Sequence, residues 1–360
     1  MFTPLFMAAA LLLGAVDVEK AAHVPAMFVF GDSLTDPGNN NNLVTLAKAN
    51  YYPNGIDFPY AATGRYCNGG TMADHLGALL GLPLIPPFTN PGTTGSNILK
   101  GVNFASAASG ILSDTGLLYG DLFTMDEQVR NYKETVQNLN LLLQNGTGEF
   151  LRRSLFFICI GANDYINNYL LPFSDKSKTH TPSAYAQLLV QEYTRQIMDL
   201  YELGARRFLI GGVPPIGCTP NQIANSGNDI GSCVNSTNWL VMRFNNEVKM
   251  MVRELNTNLR GSHFLFWDTY DIFFHIIKNS SHFGFKYTNK ACCGGGRSKG
   301  QIICLPILPL QCRNRSEFVF WDPYHPTDAF NAIAVKYSFS QKFRTSFPSN
   351  TQQLIQTLKV

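Results

Sequence analysis

A serine, an aspartate and a histidine in two short stretches of this chain have the types and spacing for acyl transfer. Ser33 lies in Gly31-Asp32-Ser33-Leu34-Thr35-Asp36, directly after a short apolar run. Asp322 and His325 lie three residues apart in Trp321-Asp322-Pro323-Tyr324-His325-Pro326-Thr327. A serine hydroxyl attacks a carbonyl only when a base removes its proton, and an imidazole serves as that base when a carboxylate orients it. Pro323 and Pro326 stiffen the second stretch, so that one rigid loop could present both imidazole and carboxylate. In that arrangement Asp322 holds the Nδ1–H of His325, and Nε2 takes the proton of Ser33. By itself, however, Asp-x-x-His also fits a helix cap followed by a surface histidine, so the pair needs support from the elements around it.

In an open parallel sheet, ligands bind outside the carboxyl ends of the strands, where loops converge. Apolar runs bounded by turns predict strands over residues 27–30, 102–105, 155–160, 208–212 and 263–267. Their continuous apolar character fits a sheet covered by helices on both faces. Between them, residues 183–203 read as a helix that starts after Thr181-Pro182 and stops at Gly204, with Leu188, Leu189, Tyr193, Ile197 and Leu200 at helical intervals. Residues 236–259 carry Leu240, Phe244, Val248, Met251 and Leu255 on one stripe, and a last helix follows Pro326 through Ala329, Ile333 and Tyr337. The expected architecture is one α/β domain spanning residues 25–360, a three-layer sandwich with a central parallel sheet. Small and polar residues follow several of its strands: the Ser33 stretch after the first, Ser106-Ala107-Ala108-Ser109-Gly110 after the second, and Gly161-Ala162-Asn163-Asp164 after the third. The Asn39–Asn42 run reads as turns and caps behind the nucleophile loop, and the walls that select substrate are expected from residues 51–64 and 88–97.

The 360 residues are 45% hydrophobic and 15% charged, which supplies a sizeable core and excludes a disordered chain. A formal net charge of +3 without any long basic run excludes nucleic acid as a partner. Residues 5–16 are almost wholly apolar, too short for a membrane span of roughly 20 residues but suited to an export signal. Residues 1–22 are therefore expected to be a signal peptide, cut between Gly14 and Ala22, and the mature protein to be secreted. Eight cysteines and sequons at Asn145, Asn235, Asn279 and Asn314 point the same way. Cys218 and Cys233 bracket a polar loop and are expected to pair. The late cluster of Cys292, Cys293, Cys304 and Cys312 is expected to be disulfide-bonded, and Cys159, inside an apolar strand, to be a buried thiol. No His-Glu-x-x-His or comparable ligand spacing occurs, so neither metal nor cofactor is implied. The sequence leaves the oligomeric state open.

Five ordered blocks carry a resemblance. They are residues 30–40 around Gly31-Asp32-Ser33-Leu34, Gly101-Val102-Asn103-Phe104-Ala105-Ser106, Gly161-Ala162-Asn163-Asp164-Tyr165, Val213-Pro214-Pro215-Ile216-Gly217-Cys218, and residues 320–327. In this order and over nearly the whole chain beyond residue 25, the sequence resembles the plant-type GDSL esterase/lipases of the SGNH hydrolase superfamily. The resemblance implies a flavodoxin-like α/β/α sandwich and hydrolysis of acyl esters, with Ser33 as nucleophile, His325 as base and Asp322 as its orienting acid. It further implies an oxyanion hole made by the backbone N–H of Ser33, the backbone N–H of Ala108 and the side-chain amide of Asn163. The family's pattern has glycine where this chain has Ala108. Alanine keeps the N–H and distorts the turn only if φ must be positive, at roughly 1–2 kcal/mol. An acyltransferase would use the same triad, and a catalytically silent binding protein could keep the scaffold.

Overall fold

The structure, a computed structural model, describes residues 24–226, 231–307, 311–339, 345–349 and 353. The expected export segment falls outside these residues. Four parallel strands form the centre of the main sheet: β1 (Met27–Gly31), β2 (Leu155–Cys159), β3 (Arg207–Gly211) and β4 (His263–Trp267), adjacent in that order. Their register aligns Met27, Leu155, Arg207 and His263 at one end and Gly31, Cys159, Gly211 and Trp267 at the other. A pair β5 (Tyr287–Ala291) and β6 (Phe318–Phe320) stands apart, and β7 (Ser346–Phe347) closes the main sheet antiparallel to β4.

Successive strand residues point to opposite faces, and here both faces are apolar. Phe28, Phe30, Phe156, Ile158, Phe208 and Ile210 pack against α2 (Met125–Leu143), α3 (Pro182–Glu202) and α4 (Asn235–Asn258). Met27, Val29, Leu155, Phe157, Leu209 and Leu265 pack on the other face against α1 (Met72–Leu79), α5 (Thr269–Lys278) and α6 (Asp328–Ser338). The result is a three-layer α/β/α sandwich with two cores, each built from alternate residues of the same strands.

Local chemistry sets where the helices begin. Thr71 with Asp74, and Thr124 with Glu127, form reciprocal capping boxes on α1 and α2. Thr181 caps α3 with Pro182 in its first turn. The predicted helices over 183–203 and 236–259 match α3 and α4 to within one residue at each end. Among the described residues no helix is long and apolar enough to cross a membrane.

One predicted strand is corrected. Residues 102–105 run parallel beside β1, with Val29 N–H donating to Val102 O, Phe104 N–H to Val29 O and Ser106 N–H to Gly31 O, yet only Asn103 forms a bridge. The cause lies in polar side chains that take over the outer groups. Asn103 Oδ1 turns back to accept from Ala105 N, and Asn39 Nδ2 donates to both Asn103 O and Ala105 O. The segment is thereby a short bridge between β1 and residues 86–88, with Asn103 N–H on Pro86 O and Phe88 N–H on Asn103 O, tied down by asparagines rather than extended into a ladder strand.

Candidate active site

The loop carrying Ser33 leaves β1 through Gly31, whose φ of +151° brings the backbone so close to β2 that a Cβ there would lie 2.2 Å from Cys159 O. Glycine is required at this approach. Ser33 then stands at the carboxyl end of the sheet, and the last loop arrives from the opposite end of the chain. His325 Nε2 lies 2.7 Å from Ser33 Oγ, and His325 Nδ1 lies 2.7 and 2.8 Å from the two oxygens of Asp322. Asp322 and His325 are both buried. The loop folds around the carboxylate, with Oδ1 of Asp322 also accepting from the backbone N–H of Tyr324 and His325 at 2.8 Å each. The helix-cap alternative for Asp322 is corrected here, because α6 is capped by Thr327, whose Oγ1 accepts from Phe330 N.

The backbone around Ser33 is almost fully used. Among the described residues, every N–H from residue 31 to 36 has an acceptor except that of Ser33. From 106 to 109 the same accounting leaves only Ala108: Ser106 N–H donates to Gly31 O, Ala107 N–H to Asp36 Oδ2 and Ser109 N–H to Ser106 O. Ala108 adopts φ +68°, the left-handed region that favours glycine. Asn163, buried just after β2, donates from Nδ2 to Ser109 O at 3.0 Å and accepts at Oδ1 from Asn167 Nδ2 at 2.6 Å. An amide nitrogen carries two hydrogens, so one N–H of Asn163 remains. Ser33, Ala108 and Asn163 all line one cleft with His325 and Asp322.

Polar residues behind this surface join the loops. Asp36 accepts from Gly38, Asn39 and Ala107 N–H, and burial pushes its carboxyl up to about 6 against those donors. Asn40 donates to Ala107 O and accepts from Ser106 Oγ. The Asn39–Asn42 run thus does more than cap: its first two members are buried and stitch the loop that follows Ser33 to residues 103–107. Asp164 accepts from Ile111 N, Leu112 N and Thr115 Oγ1, again with its carboxyl raised by burial to about 6. Asp32, beside Ser33, is likewise pushed up to about 7 by burial.

Two residues escaped the sequence reading. Gln128, fully buried on α2, clamps the peptide of Gly31 by accepting from its N–H and donating to its carbonyl, both at 2.9 Å. Tyr66 lays its ring 4.8 Å from the imidazole of His325 at an interplanar angle of 39°. Its hydroxyl is buried and has no partner among the described residues. The segment holding it is pinned on two sides. Arg65 forms a two-pronged pair with Asp74 at 2.8 Å per contact, while Asn68 Oδ1 accepts from Asp328 N. Neither Gln128 nor Tyr66 stands in a catalytic pattern; the helical stripe of α2 marks Gln128 only as a polar residue on a buried face.

The cleft is open to solvent, and about 1110 Å³ of atom-free space lies in it with the solvent at its mouth included. Of the segments expected to form its walls, 51–64 contributes Tyr51 and Asn54, whereas 88–97 contributes nothing. Phe88 instead turns inward onto Phe104, with its N–H on Asn103 O, which holds that loop at the outer edge. The walls come from Leu46, Tyr119, Ile166, Pro215, Phe273 and Ile303. Disulfides join Cys218 to Cys233, Cys292 to Cys312 and Cys293 to Cys304; Cys159 and Cys67 are buried thiols. The asparagines of all four sequons, Asn145, Asn235, Asn279 and Asn314, are exposed.

A family model described as GDSL-like Lipase/Acylhydrolase matches residues 27–338. Among curated proteins, the chain is similar to GDSL esterase/lipase 7 of Arabidopsis thaliana, 44% identical with 92% of each chain covered. Two further Arabidopsis thaliana proteins named GDSL esterase/lipase are each 45% identical, covering 94% and 92% of this chain and 90% and 85% of their own.

Proposed function

Because the chain belongs to the GDSL-like lipase/acylhydrolase family and is an esterase/lipase, we propose that it hydrolyses acyl esters through an acyl-enzyme on Ser33. The carrying observation is the relay of 2.7 Å contacts from Ser33 Oγ through His325 to Asp322 in the wall of the cleft. Ser33 Oγ attacks the ester carbonyl while Nε2 of His325 takes its proton, and Asp322 stabilises the imidazolium. The carbonyl oxygen becomes an oxyanion that accepts from the N–H of Ser33, the N–H of Ala108 and the remaining Nδ2–H of Asn163. Fixed donors of this kind stabilise a transition state by roughly 3–4 kcal/mol each. The imidazolium then protonates the leaving alkoxide, and an alcohol departs. Water attacks the acyl-serine with His325 again as base, releasing a carboxylic acid and restoring the serine.

The N–H accounting supports the oxyanion assignment independently of the triad, since the two backbone donors it needs are the ones without an acceptor in residues 31–36 and 106–109. Export is proposed with residues 1–22 as its signal and residues 25–360 as the mature domain, supported by three disulfides and four exposed sequon asparagines. A fluorophosphonate probe tests the nucleophile. It should label Ser33 alone in the wild-type protein and nothing in Ser33→Ala. Label on another serine would overturn the assignment.

A further inference from the structure

Exposed apolar side chains on a soluble domain are ordinarily scattered. Here several of the most exposed converge around the cleft. Val44 and Leu46 are 83% and 80% exposed, and Leu117, Leu118, Ile302 and Ile303 are each about half exposed. They come from three loops that meet at one mouth. Leu46 N–H donates to Tyr119 O at 2.7 Å and Asp121 N–H to Val44 O at 2.9 Å, joining the first loop to the second. The third is held by the Cys293–Cys304 disulfide and by Tyr51, whose hydroxyl donates to Cys304 O. Leu46 and Ile303 belong to the exposed rim and to the cleft lining at once, so apolar side chains link the outside to the inside.

The charge on these loops is low. Residues 43–50, 116–121 and 301–307 carry only Lys48 and Asp121, which suits a neutral or zwitterionic surface rather than an anionic one. A second copy of the chain seated on this rim would close the entrance to the site. A lipid surface would instead present acyl chains to it, and their chemistry matches both rim and lining.

We propose that this rim docks the enzyme on assemblies of neutral or zwitterionic acyl lipids, so that ester substrate passes from the lipid phase directly into the cleft. The proposal rests on the ester-hydrolase reading and names where that reaction takes its substrate. Its test separates binding from catalysis. The protein carrying Ser33→Ala, which leaves the lipid intact, is floated with phosphatidylcholine vesicles, alone and with Val44→Glu and Leu118→Glu added. Neither of these two side chains lines the cleft. The expected result is vesicle binding that weakens at least tenfold with the two glutamates. In the background with Ser33 intact, the same pair should leave kcat/KM on a water-soluble short-chain ester unchanged and lower it about tenfold on a vesicle-borne ester. Absence of vesicle binding, or equal binding with and without the glutamates, would overturn the proposal. So would sedimentation showing a dimer that the glutamates dissociate while vesicles remain unbound. Loss of soluble-ester cleavage by the unmutated enzyme would sink the hydrolase reading instead.

Discussion

Replacing Asn163 by alanine separates an oxyanion donor from a residue that shapes the turn after β2. The side chain makes two hydrogen bonds inside the protein, to Ser109 O and from Asn167 Nδ2. At about 0.5–1.5 kcal/mol each, their loss should lower stability by about 1–3 kcal/mol. The third group, the N–H left for the cleft, contributes only when negative charge develops, and its loss should cut kcat by about 10²–10³-fold. Asn167→Ala supplies the control, since it removes the partner of Asn163 Oδ1 and leaves the donor in place. Because Asn167 Oδ1 also accepts from the Tyr119 hydroxyl, two hydrogen bonds are lost, which should cost about 1–3 kcal/mol of stability and less than about tenfold in kcat. Thermal melts and active-site-titrated turnover of one acyl ester, measured on the same preparations, give both quantities. If Asn163→Ala turns over at a near-normal rate per folded molecule, or if Asn167→Ala loses as much rate as Asn163→Ala, the oxyanion role is wrong.

Ala108→Gly should stabilise the protein by up to about 1 kcal/mol, because relief of roughly 1–2 kcal/mol at φ +68° exceeds the extra chain entropy of glycine; kcat should stay within about threefold, and a destabilised variant would show that the turn carries no such strain. Tyr66→Phe keeps the ring beside His325 and deletes a buried hydroxyl without a partner, so neither melting temperature nor kcat should fall. Tyr66→Leu removes the ring, and at about 0.5–1.5 kcal/mol for the aromatic contact it should lower kcat by up to about tenfold; equal losses in both variants would refute an orienting role for the ring. Asp32, Asp36 and Asp164 are raised by burial from 3.8 to about 7, 6 and 6. Such carboxyls bind more protons folded than unfolded, so their contribution to stability is present at low pH and is lost as pH rises through the folded values. Melting temperature should therefore climb as pH falls from 8 to 5, and a steady decline over that range would contradict it.

Much of this site was legible because its residues lie in short contiguous stretches at strand ends. Asp322 and His325 needed only three residues of separation and a loop that prolines make rigid. The strands and the long helices were legible from apolar runs, helical period and caps such as Thr181-Pro182. Three kinds of feature were not. Residues 102–105 have strand composition, but asparagines distant in sequence, Asn39 above all, capture their carbonyls. Gln128 and Tyr66 act across 97 and 259 residues of separation from Gly31 and His325 (128 − 31 and 325 − 66), and no local pattern encodes such a meeting. The left-handed turn at Ala108 was legible only as a question, because alanine gives no sign of φ where glycine would.

Ser33 and His325 are 292 residues apart in the chain and 2.7 Å apart in space. During synthesis at about 5–20 residues per second, the serine emerges some 15–60 seconds before its base exists. Throughout that interval the nucleophile has neither imidazole nor carboxylate, and α6 has yet to dock beside β6. On the proposed mechanism the growing chain is thus without esterase activity, and turnover begins only as the last helix packs.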